Sequence, residues 1–183
     1  MIDQESDSEQ DPYMAYGQPA QSWTSGDLFA TVAATLYSFS SIDSISAITN
    51  SPGTNADSSL SSSNLATQFG TNMRGGKVGL IGEYINNYET SSSEDTAWTS
   101  GAKYGFDKWG FKYVYADVEA NSVPDILPDS DRFGGLTGIR GHEVELTYKI
   151  MKNVKLGLDF YSTERTITNE DEELLQADIN VKS

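Results

Sequence analysis

The chain has 183 residues, no cysteine and a formal net charge of -15. Without cysteine there can be no disulfide, zinc–thiolate site or thiol nucleophile, and the negative charge argues against nucleic acid as a partner, because phosphate would be repelled. No run of about 18 apolar residues occurs, so no transmembrane helix is predicted. The polar mean hydropathy leaves a membrane β-barrel open, since only alternate strand residues would face lipid.

Residues 1–11 are acidic and carry no apolar run, so no export signal is read there. Residues 12–25, with two prolines and three aromatics, read as an irregular segment or a poor strand. Together, 1–25 form an acidic, irregular N-terminal segment ahead of a β domain over 26–183. Leu28 to Phe39 is rich in β-branched and aromatic residues and predicts a strand. A long loop follows over 40–62, ending in a Ser-rich, low-complexity tract. Asn64 to Met73 and Val78 to Tyr88 are strands around a short turn at 74–77, where paired glycines allow positive φ. A polar loop at 89–96 precedes strands at Ala97 to Phe106 and Phe111 to Val118, joined by a tight turn at 107–110. A long loop spans 119–141.

The last stretch has the clearest pattern. Val144, Leu146, Tyr148 and Ile150 alternate with Glu143, Glu145, Thr147 and Lys149. After a break at 151–153, Val154, Leu156, Leu158 and Phe160 alternate with Lys155, Gly157, Asp159 and Tyr161. A polar run over 162–173 reads as another long loop. Leu175, Ala177, Ile179 and Val181 then alternate with polar residues in a closing strand. Period 2 puts each set on its own face. Eight strands are expected from Leu28 onward, with long and short connections taking turns, as in an outer-membrane barrel with short turns on one side and long loops on the other. Phe106, Trp109 and Phe111 near a short turn, and Tyr84, Tyr88, Trp98, Tyr113 and Tyr115 toward the long loops, stand where headgroup-level aromatic girdles would be. The expected fold is all-β: an antiparallel up-and-down transmembrane β-barrel.

Tyr148 to Glu164 (YKIMKNVKLGLDFYSTE) and Leu174 to Ser183 (LLQADINVKS) resemble the C-terminal part of Gram-negative outer-membrane porins. The resemblance is closest over 142–183 and looser over 64–118. It implies an outer-membrane location, contact with membrane lipid, passive passage of small hydrophilic solutes or ions, and a homotrimer. Such porins have roughly sixteen strands, so the chain is expected to be the C-terminal part of a larger barrel. The alternative is a complete eight-stranded barrel, whose interior side chains would nearly fill. Where the family usually ends in an aromatic residue, this chain has Ser183.

In the porin reading the polar strand face lines the pore. Its candidate residues are Glu83, Lys103, Glu143, Glu145, Lys149, Lys155, Asp159, Asp178 and Lys182, charges of both signs that would screen solutes by charge and dipole. Seventeen of the 27 acids lie in residues 1–11, 89–96, 119–141 and 162–173, a negative rim that would enrich cations. No enzyme, cofactor or metal site is predicted. Ser100 and Lys103 match Ser-x-x-Lys only within a strand pattern, where they point to opposite faces. His142 is the only histidine, with no nucleophile elbow. The segment from Asp129 to Gly134 breaks the EF-hand pattern at its fifth position. The glycines at 134, 135, 138 and 141 lack a following Gly-Lys-Ser/Thr and are expected to give flexibility or to let the loop fold into a pore. Trp98, Tyr113 and Tyr115 could form a sugar-stacking track. Two other readings remain: a small non-enzymatic membrane barrel with structural or adhesive loops, and a soluble lipocalin-like β binding protein.

Overall fold

The computed structural model describes residues 13–40, 60–125, 127–128, 131 and 135–182. The described residues contain ten strands and no helix: β1 (Tyr13–Gly17), β2 (Ala20–Ser25), β3 (Leu28–Ser40), β4 (Ser62–Met73), β5 (Gly76–Asn87), β6 (Thr96–Phe106), β7 (Trp109–Val118), β8 (Ile139–Met151), β9 (Val154–Arg165) and β10 (Glu170–Val181). They form one antiparallel meander in which each strand from β3 to β10 pairs with the next. β1 and β2 lie end to end along the outer side of β3, against residues 36–40 and 28–33 respectively. The break between them falls at Gln18-Pro19. A proline there suits an edge, because it has no N–H to give a ladder.

The eight strands expected from Leu28 onward are β3 to β10. Four turns of two residues join strands at one end of the sheet: 26–27, 74–75, 107–108 and 152–153. Gly26, Gly75 and Asp107 take positive φ there, a conformation open to glycine and tolerated by Asp and Asn. The opposite end carries the connections 88–95, 119–138 and 166–169; most of the expected 40–62 loop lies outside the described residues.

One expectation is settled and two change. Of the two readings for 12–25, an irregular segment or a poor strand, the strand is found: β1 and β2 lie within 13–25, and residues 1–12 lie outside the described residues. The long loop expected over 162–173 is a four-residue turn, with Arg165 paired to Glu170 and Asn169 at positive φ. Backbone hydrogen bonds extend both strands past the point where apolar alternation stops. Finally, the sheet is open: among the described residues β1/β2 and β10 gain no second neighbour. Eight antiparallel steps separate these edges, so they run in the same direction and could meet only as a parallel seam.

One face of this single-layered sheet is buried, which implies that the sheet curls toward it, and glycines make room on the crowded side. A methyl group at Gly101 would collide with the Tyr113 carbonyl and the Val114 side chain, and one at Gly141 with the Ser162 carbonyl and Thr163. Side chains sharing that face are buried against one another, among them Val114, Ala116, Tyr161 and Thr163.

Candidate functional site: the two faces of the sheet

Antiparallel partners share a face, so the strand registers sort side chains into rows. One row on the outer face runs Leu28, Thr71, Val78, Tyr104, Phe111, Leu146, Leu158, Ala177. The next row toward the loop end runs Ala30, Phe69, Leu80, Ala102, Tyr113, Val144, Phe160, Leu175. This face is apolar and open: Phe69 and Trp109 are each 51% exposed.

The apolar band does not follow the rows. On β10 its loop-side limit is Leu175 and on β9 Phe160, after which come Glu173 and Ser162. On β7 it is Tyr115, on β6 Trp98, on β5 Tyr84, on β4 Leu65 and on β3 Leu36. Leu175 is in line with Ala30 of β3, so the limit climbs six residues by Leu36. At ~3.4 Å per residue and ~4.8 Å per strand spacing, six residues over seven spacings is a slope of roughly 30°. Aromatic residues mark both limits. Trp109 and Tyr148 have ring centroids 4.5 Å apart at the turn end, and Trp98 and Tyr115 are 5.3 Å apart toward the loops. The Tyr113 hydroxyl and His142 Nδ1 are 2.8 Å apart on the same outer face. Trp98, Tyr113 and Tyr115 therefore lie on the side opposite the charged row.

The inner face is charged midway along the strands and carries buried Val114, Ala116, Ile139 and Tyr161 toward the loop end. Its central row runs Gly79, Lys103, Lys112, Glu145, Asp159, Gln176. Lys112 forms ion pairs with Glu143 and, at 3.2 Å, with Glu145; Lys155 is 3.6 Å from Glu145. Carboxylate oxygens of Glu143, Glu145 and Asp159 lie within 4.8 Å of one another. Of the nine residues read from sequence, Lys103, Glu143, Glu145, Lys155 and Asp159 meet in or beside this cluster. Asp178 is one row toward the turns, opposite Gly157. Lys149 faces Lys155 across the β8–β9 pair, next to a bulge. Glu83 is separate, accepting a 2.6 Å hydrogen bond from Asn64 Nδ2. Lys182 stands one residue beyond β10, with its N–H bonded to the Asn153 carbonyl. The residue missed by sequence reading is Lys112, at the centre of the cluster. Its only local signal is that it alone is charged among the inner-face residues of the short strand β7.

At the loop end the connection from β7 to β8 covers the inner face. Ala120, Asn121, Ser122 and Val123 are buried. Ser62 Oγ donates to the Ser122 carbonyl (2.9 Å) and Asn87 Nδ2 to the Asn121 carbonyl (2.7 Å). Asp125 Oδ1 accepts from the Thr137 N–H (2.9 Å) and Oγ1 (2.6 Å), closing the base of the loop. Val123, Leu127 and Pro128 line a cavity of about 380 Å³ together with inner-face residues Asn64, Glu83, Ile85 and Thr99.

No family model, curated protein or solved structure matches this chain.

Proposed function

We propose that this sheet is the wall of an outer-membrane porin, with lipid on its outer face and water on its inner face, through which small hydrophilic solutes or ions diffuse passively. The observation that carries the reading is the oblique apolar band. Strands of a membrane barrel are tilted by about 35–45°, so a flat bilayer cuts across their hydrogen-bonded rows at an angle. The slope of roughly 30° is close to that, and a face packed against a second sheet has no reason to drift steadily in one direction. The band height also fits. Trp98 to Phe106 is eight residue steps, ~27 Å along the strand, or ~23 Å upright at this tilt, against an apolar band of about 25 Å in such barrels.

A lipocalin-like binding protein would keep its apolar residues inside the curl. Here the inside mixes Lys112, Glu143, Glu145 and Asp159 with buried Val114, Ala116, Ile139 and Tyr161, while large apolar side chains such as Phe69, Phe111 and Leu158 stand exposed on the outside. The β7–β8 loop narrows the inner side at the loop end, which also supports the second reading, a closed structural barrel.

Single cysteines separate the readings. In membranes, cysteine at Glu145 or Asp159 is expected to react with a small charged thiol reagent, and cysteine at Leu146 or Leu158 only with lipid-soluble ones. The reverse accessibility removes the barrel assignment. Protein that inserts with this labelling pattern yet conducts no ions in a planar bilayer is the structural barrel, not the porin.

A further inference from the structure

We infer that Lys112 is the selectivity-determining residue of the inner face: a tethered counter-ion that keeps Glu143, Glu145 and Asp159 from acting as a cation site. The inference rests on the reading of this face as the water-filled side. Its basis is geometric. Three carboxylates from two adjacent strands present oxygens within 4.8 Å of one another, a spacing at which like charges repel strongly unless a cation stands among them. The Lys112 ammonium stands there, paired to Glu143 and Glu145. Glu143 is only 6% exposed, so water alone cannot compensate its charge.

The placement of charge matters as well. Along the central row, Lys103 and Lys112 occupy β6 and β7, and Glu145 and Asp159 occupy β8 and β9. A permeating ion therefore meets a positive stripe beside a negative one, and Lys112 is the residue at the boundary. Lys155 also lies 3.6 Å from Glu145. Losing Lys112 removes one positive charge from beside Glu143 and Glu145 and shifts the cluster toward hard oxygen ligands of the type that hold Ca²⁺ and Mg²⁺. The resting protein excludes divalent ions from this cluster because a lysine already fills it.

The test compares wild type, Lys112→Met, Lys112→Arg and the double variant Lys112→Met/Glu145→Gln, each folded in detergent. In a planar bilayer under a KCl gradient, Lys112→Met is expected to raise the cation-to-anion permeability ratio about threefold or more, because focused potential acts exponentially on ion occupancy. Millimolar CaCl₂ is expected to reduce that variant's conductance and raise the temperature of its heat-modifiable gel shift. Lys112→Arg should behave like wild type, and the double variant should lose the calcium response. Equal reversal potentials and equal calcium responses in wild type and Lys112→Met overturn the assignment. Should wild type fold yet pass no current, the porin reading fails, and the calcium-dependent gel shift still decides whether Lys112 is the counter-ion. Should Lys112→Met not fold, Glu143→Gln and Glu145→Gln test the same pairing from the other side: a shift toward anions upholds it, and no shift overturns it.

Discussion

The two faces of this sheet invert the usual relation between polarity and burial. On the outer face Phe69 is 51% exposed, Phe111 45% and Leu158 42%; on the inner face Glu143 is 6% exposed and Thr163 3%. In a water-soluble sheet the apolar side chains would be covered and the charges solvated. The curl explains half of the inversion, because the concave side crowds whatever side chains point into it. The other half, in the reading proposed above, comes from a surrounding lipid phase that accepts apolar surface over the whole width of eight strands. The contrast teaches that burial within one chain and burial in the working environment are separate quantities, and that a face can be apolar because of what lies outside the protein.

The sharpest way to break the comparison is to charge the outer face. Leu146→Arg and Leu158→Arg lie in the middle of the apolar band. In lipid vesicles each is expected to cost about 2–4 kcal/mol, the range for a basic residue at the bilayer midplane, measured by urea unfolding followed through tryptophan fluorescence. A near-zero effect would mean that this face is in water. The matching change on the other side, Gln176→Arg, should be nearly neutral, since its row already faces polar groups.

The next effect probes the curl. Gly101→Val pushes its side chain toward the Tyr113 carbonyl and Val114. Overpacking of this kind costs about 1–3 kcal/mol, and because the strain resists curvature, a lower folding yield in detergent is expected along with a lower urea midpoint. Gly105→Ala is the control: a methyl group there meets nothing within 4 Å, and its midpoint should stay near that of wild type.

A smaller effect concerns the loop over the inner face. Asp125→Ala removes the carboxylate that accepts from the Thr137 N–H and Oγ1; the hydroxyl keeps the Ala120 carbonyl at 2.8 Å, and the loss of the Asp125 oxygen from the buried N–H is expected to cost about 1–3 kcal/mol. Much of that loss is local, so protease cleavage between Asp125 and Gly135 should accelerate more than global unfolding. In the porin reading single-channel conductance rises as the loop releases. Unchanged conductance with faster cleavage would show that the loop does not narrow the passage.

The legible parts of this molecule were those where one strand carries its own signal. β8, β9 and β10 alternate so strictly that their faces can be assigned residue by residue, and the eight strands from Leu28 follow. Lys112 was not legible, because its importance comes from Glu143 and Glu145, 31 and 33 residues away, which reach it only through the β7–β8 register. The run over 162–173 misled for a physical reason. Apolar alternation marks only the part of a strand that meets apolar surroundings, and β9 and β10 go on pairing beyond it with Ser162, Glu164, Asp171 and Glu173 on the outer face. β1 and β2 were obscured by Pro12 and Pro19 and by weak alternation. A closed barrel is expected from the rhythm of the connections, whereas the described sheet is open, because edge pairing depends on strand number and direction, which no local pattern encodes.

The same extension of β9 past the apolar band supplies the smallest test. Arg140 holds Glu164 through two hydrogen bonds of 3.0 Å from its Nε and Nη2, on the outer face and one row beyond His142. If the band limit at β8 is Val144, this pair stands in water, where an exposed ion pair contributes little and is screened by salt. Arg140→Ala is therefore expected to leave the urea midpoint of the vesicle-inserted protein within experimental error, with no dependence on salt. A marked destabilisation would put Arg140 and Glu164 within the apolar layer, where removing one partner strands the other. It would thereby move the band limit on β8 toward the loops and flatten the slope from which the tilt is inferred.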